Sequence, residues 1–155
     1  STRETQSSRE KVLELGVSQI SGGSNTAVGG YDEADRSEED TAQFDVSDHR
    51  TLDQVIAWLI DLGYVPSFCT ACYRLGRTGD RFMSLVKTGQ IANCCAPNAL
   101  MTLKEYLVDY ASPQTRLKGE AMIAREMAKV PNEKVRTKAT ENLAAIERGE
   151  RDFRF

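Results

Sequence analysis

Cysteine is the residue type in this 155-residue chain most able to do chemistry, and all four cysteines lie between Phe68 and Cys95. Cys69 and Cys72 form a CxxC pair, and Cys95 follows after 22 intervening residues, directly behind Cys94. Two thiolates in a CxxC pair converge on one metal centre across a tight turn. Disulfides suit small secreted domains, whereas this sequence has long amphipathic helical patterns and no secretory signal. The spacing therefore favours a metal site.

Two kinds of metal centre are compatible with this spacing. A structural zinc site usually needs four separated ligands on a tetrahedron, and adjacent residues such as Cys94 and Cys95 rarely reach the same ion. The single histidine, His49, lies in an acidic stretch, where we expect a solvated side chain rather than a ligand. Three thiolates would instead leave one iron of a 4Fe–4S cluster open to an exogenous ligand. The cysteine spacing alone does not separate zinc from iron–sulfur.

Two arginines, Arg74 and Arg77, follow the CxxC pair closely enough to act on the same site. A guanidinium beside a thiolate or an anionic cluster stabilises the negative charge electrostatically. The alternative is that each is an ordinary solvated arginine. The sequence leaves both roles open.

The elements that must position the cysteines are predicted to be mostly helices. Capping boxes begin at Thr51 and Thr102, and Ser112 precedes a proline at a first helical position. Apolar residues then recur at helical spacing. One of these helices is expected to turn four apolar side chains inward: Phe82, Met83, Leu85 and Val86. The predicted helices span residues 51–63, 79–87, 102–110, 113–129 and 133–148.

The first 50 residues differ in character from the rest. Ser8 is predicted to cap a short helix, and the alternation in residues 17–21 predicts a short strand before a glycine-rich loop. Such a helix–strand pair is half of a βαβ unit, which requires neighbouring strands to bury its sheet. Residues 31–50 carry eight acidic side chains and two arginines, which is typical of a solvated loop or linker. We therefore predict two domains, residues 1–50 and residues 51–155.

The composition argues against several classes of protein. A net charge of −3 is unlike the strong basic excess of a general nucleic-acid-binding protein. No apolar run approaches the roughly 20 residues that a membrane-spanning helix requires. A complete (β/α)8 barrel is also too large for this chain, because that fold takes about 250 residues. We expect a cytoplasmic protein that binds neither nucleic acid nor membrane.

Twelve consecutive residues around the CxxC pair form a recognisable motif, FCTACYRLGRTG at residues 68–79. They resemble the C-terminal region of a known family, the FeFe-hydrogenase maturase HydG, and Cys95 lies at the family's spacing. Other segments also match: residues 1–4, 19–21, 29–31, 82–83, 95–100, 105–107, 109–111 and 149–152. The resemblance thus covers nearly the whole chain.

The resemblance implies a mainly α fold, in which a helical auxiliary-cluster domain follows the last αβ unit of a (β/α)8 radical S-adenosylmethionine (SAM) barrel. It implies that the whole enzyme is a tyrosine lyase that releases p-cresol and dehydroglycine from L-tyrosine. The dehydroglycine then yields carbon monoxide and cyanide for the hydrogenase active site. By the family motif, Cys69, Cys72 and Cys95 hold an auxiliary 4Fe–4S cluster with an additional iron, whereas Cys94 is a packed thiol.

The resemblance also implies substrates and partners. Arg3, with Ser18 or Ser21 nearby, is expected to contact the carboxylate of tyrosine. The family's CxxxCxxC motif for a second 4Fe–4S cluster and SAM is absent, so we expect no catalytic residue here and no tyrosine cleavage by the chain alone. Implied partners are the rest of the barrel, L-tyrosine, free cysteine, iron and other hydrogenase maturases. The alternative is a non-enzymatic, zinc-stapled helical module that makes protein contacts.

Overall fold

The computed structural model describes residues 1–26 and 46–155, and the regular secondary structure within them is entirely α-helical. These described residues form seven helices: α1 (Gln6–Glu14), α2 (Leu52–Asp61), α3 (Ala71–Arg74), α4 (Asp80–Lys87), α5 (Ile91–Asp109), α6 (Pro113–Met127) and α7 (Glu133–Glu147). The prediction of a mainly α fold is confirmed. None of these helices is both long and apolar enough to cross a membrane. The chain divides into two units, Ser1–Val55 and Ile56–Phe155.

The first helix begins three residues earlier than the sequence predicts. Its N-cap is Thr5, whose Oγ1 accepts a 3.3 Å hydrogen bond from the backbone amide of Ser8, so the prediction that Ser8 caps the helix is wrong. Both residues are suitable caps, and nothing between them prevents a helix. The earlier cap is used because it lets the helix gain nearly one more turn of backbone hydrogen bonds.

Residues 17–21, which the sequence predicts to be a strand, have no regular secondary structure. A strand needs a neighbouring strand to supply hydrogen-bond partners, and the described residues contain none. The strand prediction is therefore wrong for this chain. The predicted glycine-rich loop and acidic linker lie largely outside the described residues, which do not include positions 27–45.

A group of three charged side chains links distant segments within the first unit. The buried carboxylate of Asp48 accepts hydrogen bonds from Arg50 at 2.6 and 2.8 Å and another from the buried Arg9. Arg9 donates a further hydrogen bond to the carbonyl oxygen of Ser21. The hydrogen bond from the Arg50 side chain holds the pKa of Asp48 well below its usual range, although burial opposes this shift. The group therefore joins α1 to the segment that precedes α2.

The second unit is built around α5, which packs against both α6 and α7. Its hydrophobic core is formed by buried side chains from these helices, from the end of α2 and from the α6–α7 connection: Ile56, Ile60, Leu100, Leu103, Tyr106, Leu107, Met122, Ile123, Met127, Val130 and Ala139. Burial of this apolar surface holds α5 in place. The core therefore fixes the position of the helix that carries Cys95.

The capping box at Thr102 does not begin a helix, so that prediction is wrong. Helix α5 runs without interruption through Pro97, and Thr102 lies inside it. The Thr102 hydroxyl donates a 3.2 Å hydrogen bond to the carbonyl of Ala99 and accepts one of 3.1 Å from the amide of Phe68. A cap requires an extended residue at the start of the helix, whereas the residues before Thr102 are already helical.

Two other predicted helix starts are confirmed. The backbone amide of Thr51 donates to Oε1 of Gln54 at 2.8 Å, and the amide of Gln54 donates back to Oγ1 of Thr51 at 3.3 Å. Ser112 caps α6 by accepting a 3.3 Å hydrogen bond from the amide of Thr115, with Pro113 at the first helical position. Local sequence is sufficient at these two sites because every group of the cap lies within four residues.

Helix α4 occupies the predicted residues, but its apolar face is only partly covered. None of its residues is buried, and Met83 is 44% exposed, so the prediction that Met83 faces inward is wrong. Phe82, Leu85 and Val86 are half-buried. Helical periodicity predicts which side chains share a face, but it does not predict what covers that face.

Candidate metal centre

Three of the four cysteines line one cavity in the second unit. Cys69, Cys72 and Cys95 all contribute to its wall, and its volume is about 400 Å³. The other lining residues are Ser67, Tyr73, Arg77, Thr78, Gly79 and Phe82. The structure thus brings together the three cysteines that the sequence selects, and their role as metal ligands stays a prediction.

The segment that carries Cys69 is attached to α5 through Phe68. The backbone amide of Phe68 donates a 3.1 Å hydrogen bond to Oγ1 of Thr102, and its ring stacks on Tyr106 with 5.3 Å between ring centroids. The amide of Cys69 is itself bonded to Oγ of Ser67 at 3.3 Å. Because Cys95 lies on α5, these contacts place both ends of the cysteine pattern against one helix.

The second cysteine of the CxxC pair lies in α3, a single helical turn that is closed by Leu75 and Gly76. Gly76 has a positive φ of 61°, and its amide donates a 3.2 Å hydrogen bond to the carbonyl of Tyr73. The next amide, that of Arg77, donates a 2.8 Å hydrogen bond to the carbonyl of Cys72. These two bonds form a Schellman motif, which reverses the chain after the helix. The motif therefore fixes the backbone of Arg77 relative to Cys72.

The structure separates the two arginines that the sequence leaves equivalent. The side chain of Arg74 is 52% exposed and pairs with Asp152 at 2.6 Å. Arg77 is half-buried and lines the cysteine cavity, and its Nε is shielded from solvent without a hydrogen-bond partner. Arg74 is thus a surface ion-pair residue, whereas Arg77 lines the candidate site and carries a buried donor.

Cys94 and Cys95 are both half-buried, and their sulfur atoms lie 3.8 Å apart. Burial is the main cause, and the hydrogen bond with Cys94 the second, that raises the pKa of the Cys95 thiol to about 12. Cys95 is therefore protonated near neutral pH in the metal-free chain, and it must lose that proton to bind a metal as a thiolate. Cys94 is absent from the residues that line the described cavity.

A cluster and a single ion require different spacings of their ligands. Two thiolates on one tetrahedral zinc ion are about 3.8 Å apart, given a Zn–S bond of about 2.3 Å. In the described residues, no three His, Cys, Asp or Glu side chains are close enough to share one ion, and His49 is exposed. In a 4Fe–4S cluster each thiolate binds a different iron, so its sulfurs stand further apart. The three thiols that line the cavity thus do not form a single-ion site in this arrangement, and their binding of a cluster stays a prediction.

The three residues predicted to bind tyrosine, Arg3, Ser18 and Ser21, are all exposed and belong to the first unit. The amide of Arg3 donates a 3.2 Å hydrogen bond to Oγ of Ser1. The carbonyl of Ser21 accepts from Arg9. Their proposed contact with substrate stays a prediction.

The sequence gives no signal for the contacts made by residues 151–155. Asn98, which is buried one turn beyond Cys95, accepts a 2.9 Å hydrogen bond from the amide of Phe155 and donates one of 3.4 Å to its carbonyl. The amide of Asp152 donates to Glu105 at 2.9 Å, while its carboxylate pairs with Arg74 of α3. These residues lie 47 or more positions apart along the chain, so only the fold brings them together.

Comparisons with known proteins agree with the resemblance seen in the motif. Residues 1–65 match the model of the Biotin and Thiamin Synthesis associated domain. The crystal structure of HydG, a maturase of the [FeFe]-hydrogenase, superimposes with a TM-score of 0.88 and 49% sequence identity. No curated protein sequence matches the chain. The match covers 99% of this chain but only 33% of the HydG chain. Along almost its entire length, the chain is therefore similar to the C-terminal third of HydG.

Proposed function

We propose that the chain is the auxiliary-cluster portion of a radical SAM tyrosine lyase, and that Cys69, Cys72 and Cys95 hold a 4Fe–4S cluster. The observation that carries this proposal is the single cavity lined by these three thiols. Further support is the 49% identity to a hydrogenase maturase. Three ligands on a four-iron core leave one iron without a protein ligand, which is where an additional iron and free cysteine are proposed to bind.

In the assembled enzyme, the bound cluster would supply the iron centre on which tyrosine-derived dehydroglycine is converted to carbon monoxide and cyanide. The contribution of this chain is to bind and shield that centre. Tyr73 and Phe82 line the cavity and contribute apolar surface to its wall. The Schellman motif and the Phe68–Tyr106 stack hold the CxxC segment against α5.

Other parts of the activity are proposed for a longer protein, because the chain spans only 33% of the HydG chain. These are the second cluster, SAM, the rest of the barrel, L-tyrosine as substrate and contacts with other hydrogenase maturases. Within this chain, Arg3 with Ser18 or Ser21 is proposed to bind the carboxylate of tyrosine. A guanidinium binds a carboxylate through two parallel hydrogen bonds, which also fixes the orientation of the substrate.

Anaerobic reconstitution with iron and sulfide tests the proposal. We expect about four irons and four sulfides per chain and the broad visible absorption of an iron–sulfur cluster. Replacing Cys69, Cys72 or Cys95 with Ala is expected to abolish the absorption. The Cys94→Ala chain is the matched control and is expected to retain it, because Cys94 does not line the cavity. Loss in the Cys94 variant, or no cluster in the unmodified chain, would contradict the proposal.

One observation favours a zinc-stapled interaction module as the second candidate. The 3.8 Å between the sulfurs of Cys94 and Cys95 is the separation expected of two thiolates on one tetrahedral zinc ion. That function predicts a colourless protein that retains one zinc per chain after dialysis. It also predicts that Cys94→Ala weakens metal binding, which is the opposite of the result expected for the cluster.

A further inference from the structure

We propose that Arg77 donates a hydrogen bond from its buried Nε to the inorganic core of the cluster and thereby raises the cluster's reduction potential. This inference rests on the proposed function, because it requires a cluster in the cavity. It assigns the arginine a role that the cysteine ligands do not fill. It also predicts that the nearby Arg74 has no such role.

Arg77 carries a buried donor, Nε, without a hydrogen-bond partner. Arg77 lines the cavity, and its Nε has neither solvent contact nor a hydrogen-bond partner in the protein. A buried charged donor is costly unless an acceptor meets it, so an orphaned one indicates a missing partner. The side chain that carries this donor borders the cavity that the three cysteines share.

Apart from Arg77, the wall of the cavity is formed by uncharged residue types and cysteines. Its lining residues are Ser67, Cys69, Cys72, Tyr73, Arg77, Thr78, Gly79, Phe82 and Cys95. Arg77 is the only arginine or lysine among these described lining residues, and no carboxylate is present to neutralise it. The charge that best complements a guanidinium there is therefore an anion inside the cavity. An iron–sulfur core held by three thiolates is an anion whose sulfides accept hydrogen bonds.

The turn after α3 places Arg77 beside the cavity. The 2.8 Å hydrogen bond from its amide to Cys72 ties its backbone to a ligand residue, and Gly76 makes the required turn. The same turn that follows α3 therefore places the backbone of Arg77 next to the CxxC pair. Arg74, two residues before Gly76, instead extends into solvent and pairs with Asp152.

The expected consequence is electrostatic. One-electron reduction adds negative charge to the cluster, so a nearby cation and hydrogen-bond donor stabilises the reduced form more than the oxidised form. Removing the guanidinium should therefore shift the midpoint potential to a more negative value. Replacing it with lysine keeps the charge but loses the Nε donor, so Arg77→Lys should give an intermediate potential.

The experiment compares the unmodified chain with Arg77→Gln, Arg77→Lys and the control Arg74→Gln after anaerobic reconstitution. Iron and sulfide content is measured first, and circular dichroism records the helix content of each variant. The midpoint potential is then measured by redox titration with dithionite. The electron paramagnetic resonance signal of the reduced cluster is recorded at each potential as the readout. We expect a negative shift in Arg77→Gln, a smaller one in Arg77→Lys and none in Arg74→Gln.

The outcomes separate the two proposals. If the unmodified chain binds no cluster, the proposed function fails. If all four proteins bind the cluster with equal potentials, the cluster assignment stands and the role of Arg77 is overturned. If a folded Arg77→Gln chain binds no cluster, it gives no potential, and the potential of Arg77→Lys decides instead. If Arg77→Gln does not fold, Arg77→Lys decides, since a potential equal to that of the unmodified chain would refute the hydrogen bond.

Discussion

The backbone amide of Arg77 lies 2.8 Å from the carbonyl oxygen of Cys72, and this hydrogen bond closes the turn that follows the CxxC pair. The turn also requires the positive φ of Gly76. A candidate ligand residue and a cavity-lining cation are therefore linked by a backbone hydrogen bond. Any change that opens this turn should disturb both of them together.

Replacing Gly76 with Ala tests that link. The new Cβ meets no atom within 4 Å, so the cost is backbone strain at φ 61°, about 1–2 kcal/mol. Gly63→Ala is a matched control, because Gly63 ends α2 in the same Schellman motif with φ 86° and equal space. We expect both variants to lose similar free energy of unfolding in urea titrations. Only Gly76→Ala should also lose iron from the reconstituted chain, and equal iron retention would show that the turn does not control the site.

Asn98 is predicted to hold the end of the described chain against α5. Asn98→Ala removes both hydrogen bonds to Phe155, one through its side-chain oxygen and one through its amide nitrogen. Loss of partners for buried groups costs about 1–3 kcal/mol. Urea denaturation measures this loss, and faster exchange of the Phe155 amide would locate it. Thr140→Ala, on the exposed face of α7, should change stability by less than about 0.5 kcal/mol.

Gly119 is predicted to be required by the packing of α6 on α5. A β-carbon at this position would lie 2.5 Å from Cδ1 of Leu107, which is fully buried in the core. Alanine has a helix propensity about 1 kcal/mol better than that of glycine. We nevertheless expect Gly119→Ala to destabilise the protein by about 1–3 kcal/mol, because the overpacked core cannot give way. A double variant with Leu107→Ala should be less destabilised than the sum of the two single changes, and strict additivity would contradict the steric explanation.

Acid is predicted to destabilise the first unit through Asp48. The folded-state pKa of Asp48 is depressed, chiefly by its hydrogen bond to Arg50, so its contribution to stability is complete above the unfolded pKa of about 3.9. This contribution is lost as the pH falls from about 5 towards the lower folded pKa. The backbone amides of Ser47 and Asp48 both donate 3.0 Å hydrogen bonds to the carbonyl of Thr2. Their NMR signals therefore report the loss of structure in the first unit as the pH falls.

The matched variant for this pH effect is Asp48→Asn. It removes the titrating carboxylate and the buried ion pair between Asp48 and Arg9, which should cost about 3 kcal/mol or more at neutral pH. Its amide signals should then show no further change between pH 5 and pH 3. If the pH midpoint of the acid transition were the same in this variant as in the unmodified chain, another group would control the transition.

The sequence alone determined the features whose parts lie close together in the chain. Thr51 with Gln54, and Ser112 with Pro113, set helix starts because all groups of each cap are within four residues. The helix starts predicted at these two sites are correct. The start predicted at Thr102 is wrong, because the residues before Thr102 are already helical. The CxxC spacing likewise identifies Cys69 and Cys72 as a pair of candidate ligands, and the family motif adds Cys95.

Only the tertiary structure decided the features that depend on distant residues. It distinguished Arg77 from Arg74, since solvent exposure and the partner Asp152 depend on how the chain end packs on α5. It left residues 17–21 without a strand, because a strand depends on neighbours that the described residues do not supply. Local sequence thus specified which groups were available for chemistry, whereas long-range packing decided which of them face one cavity.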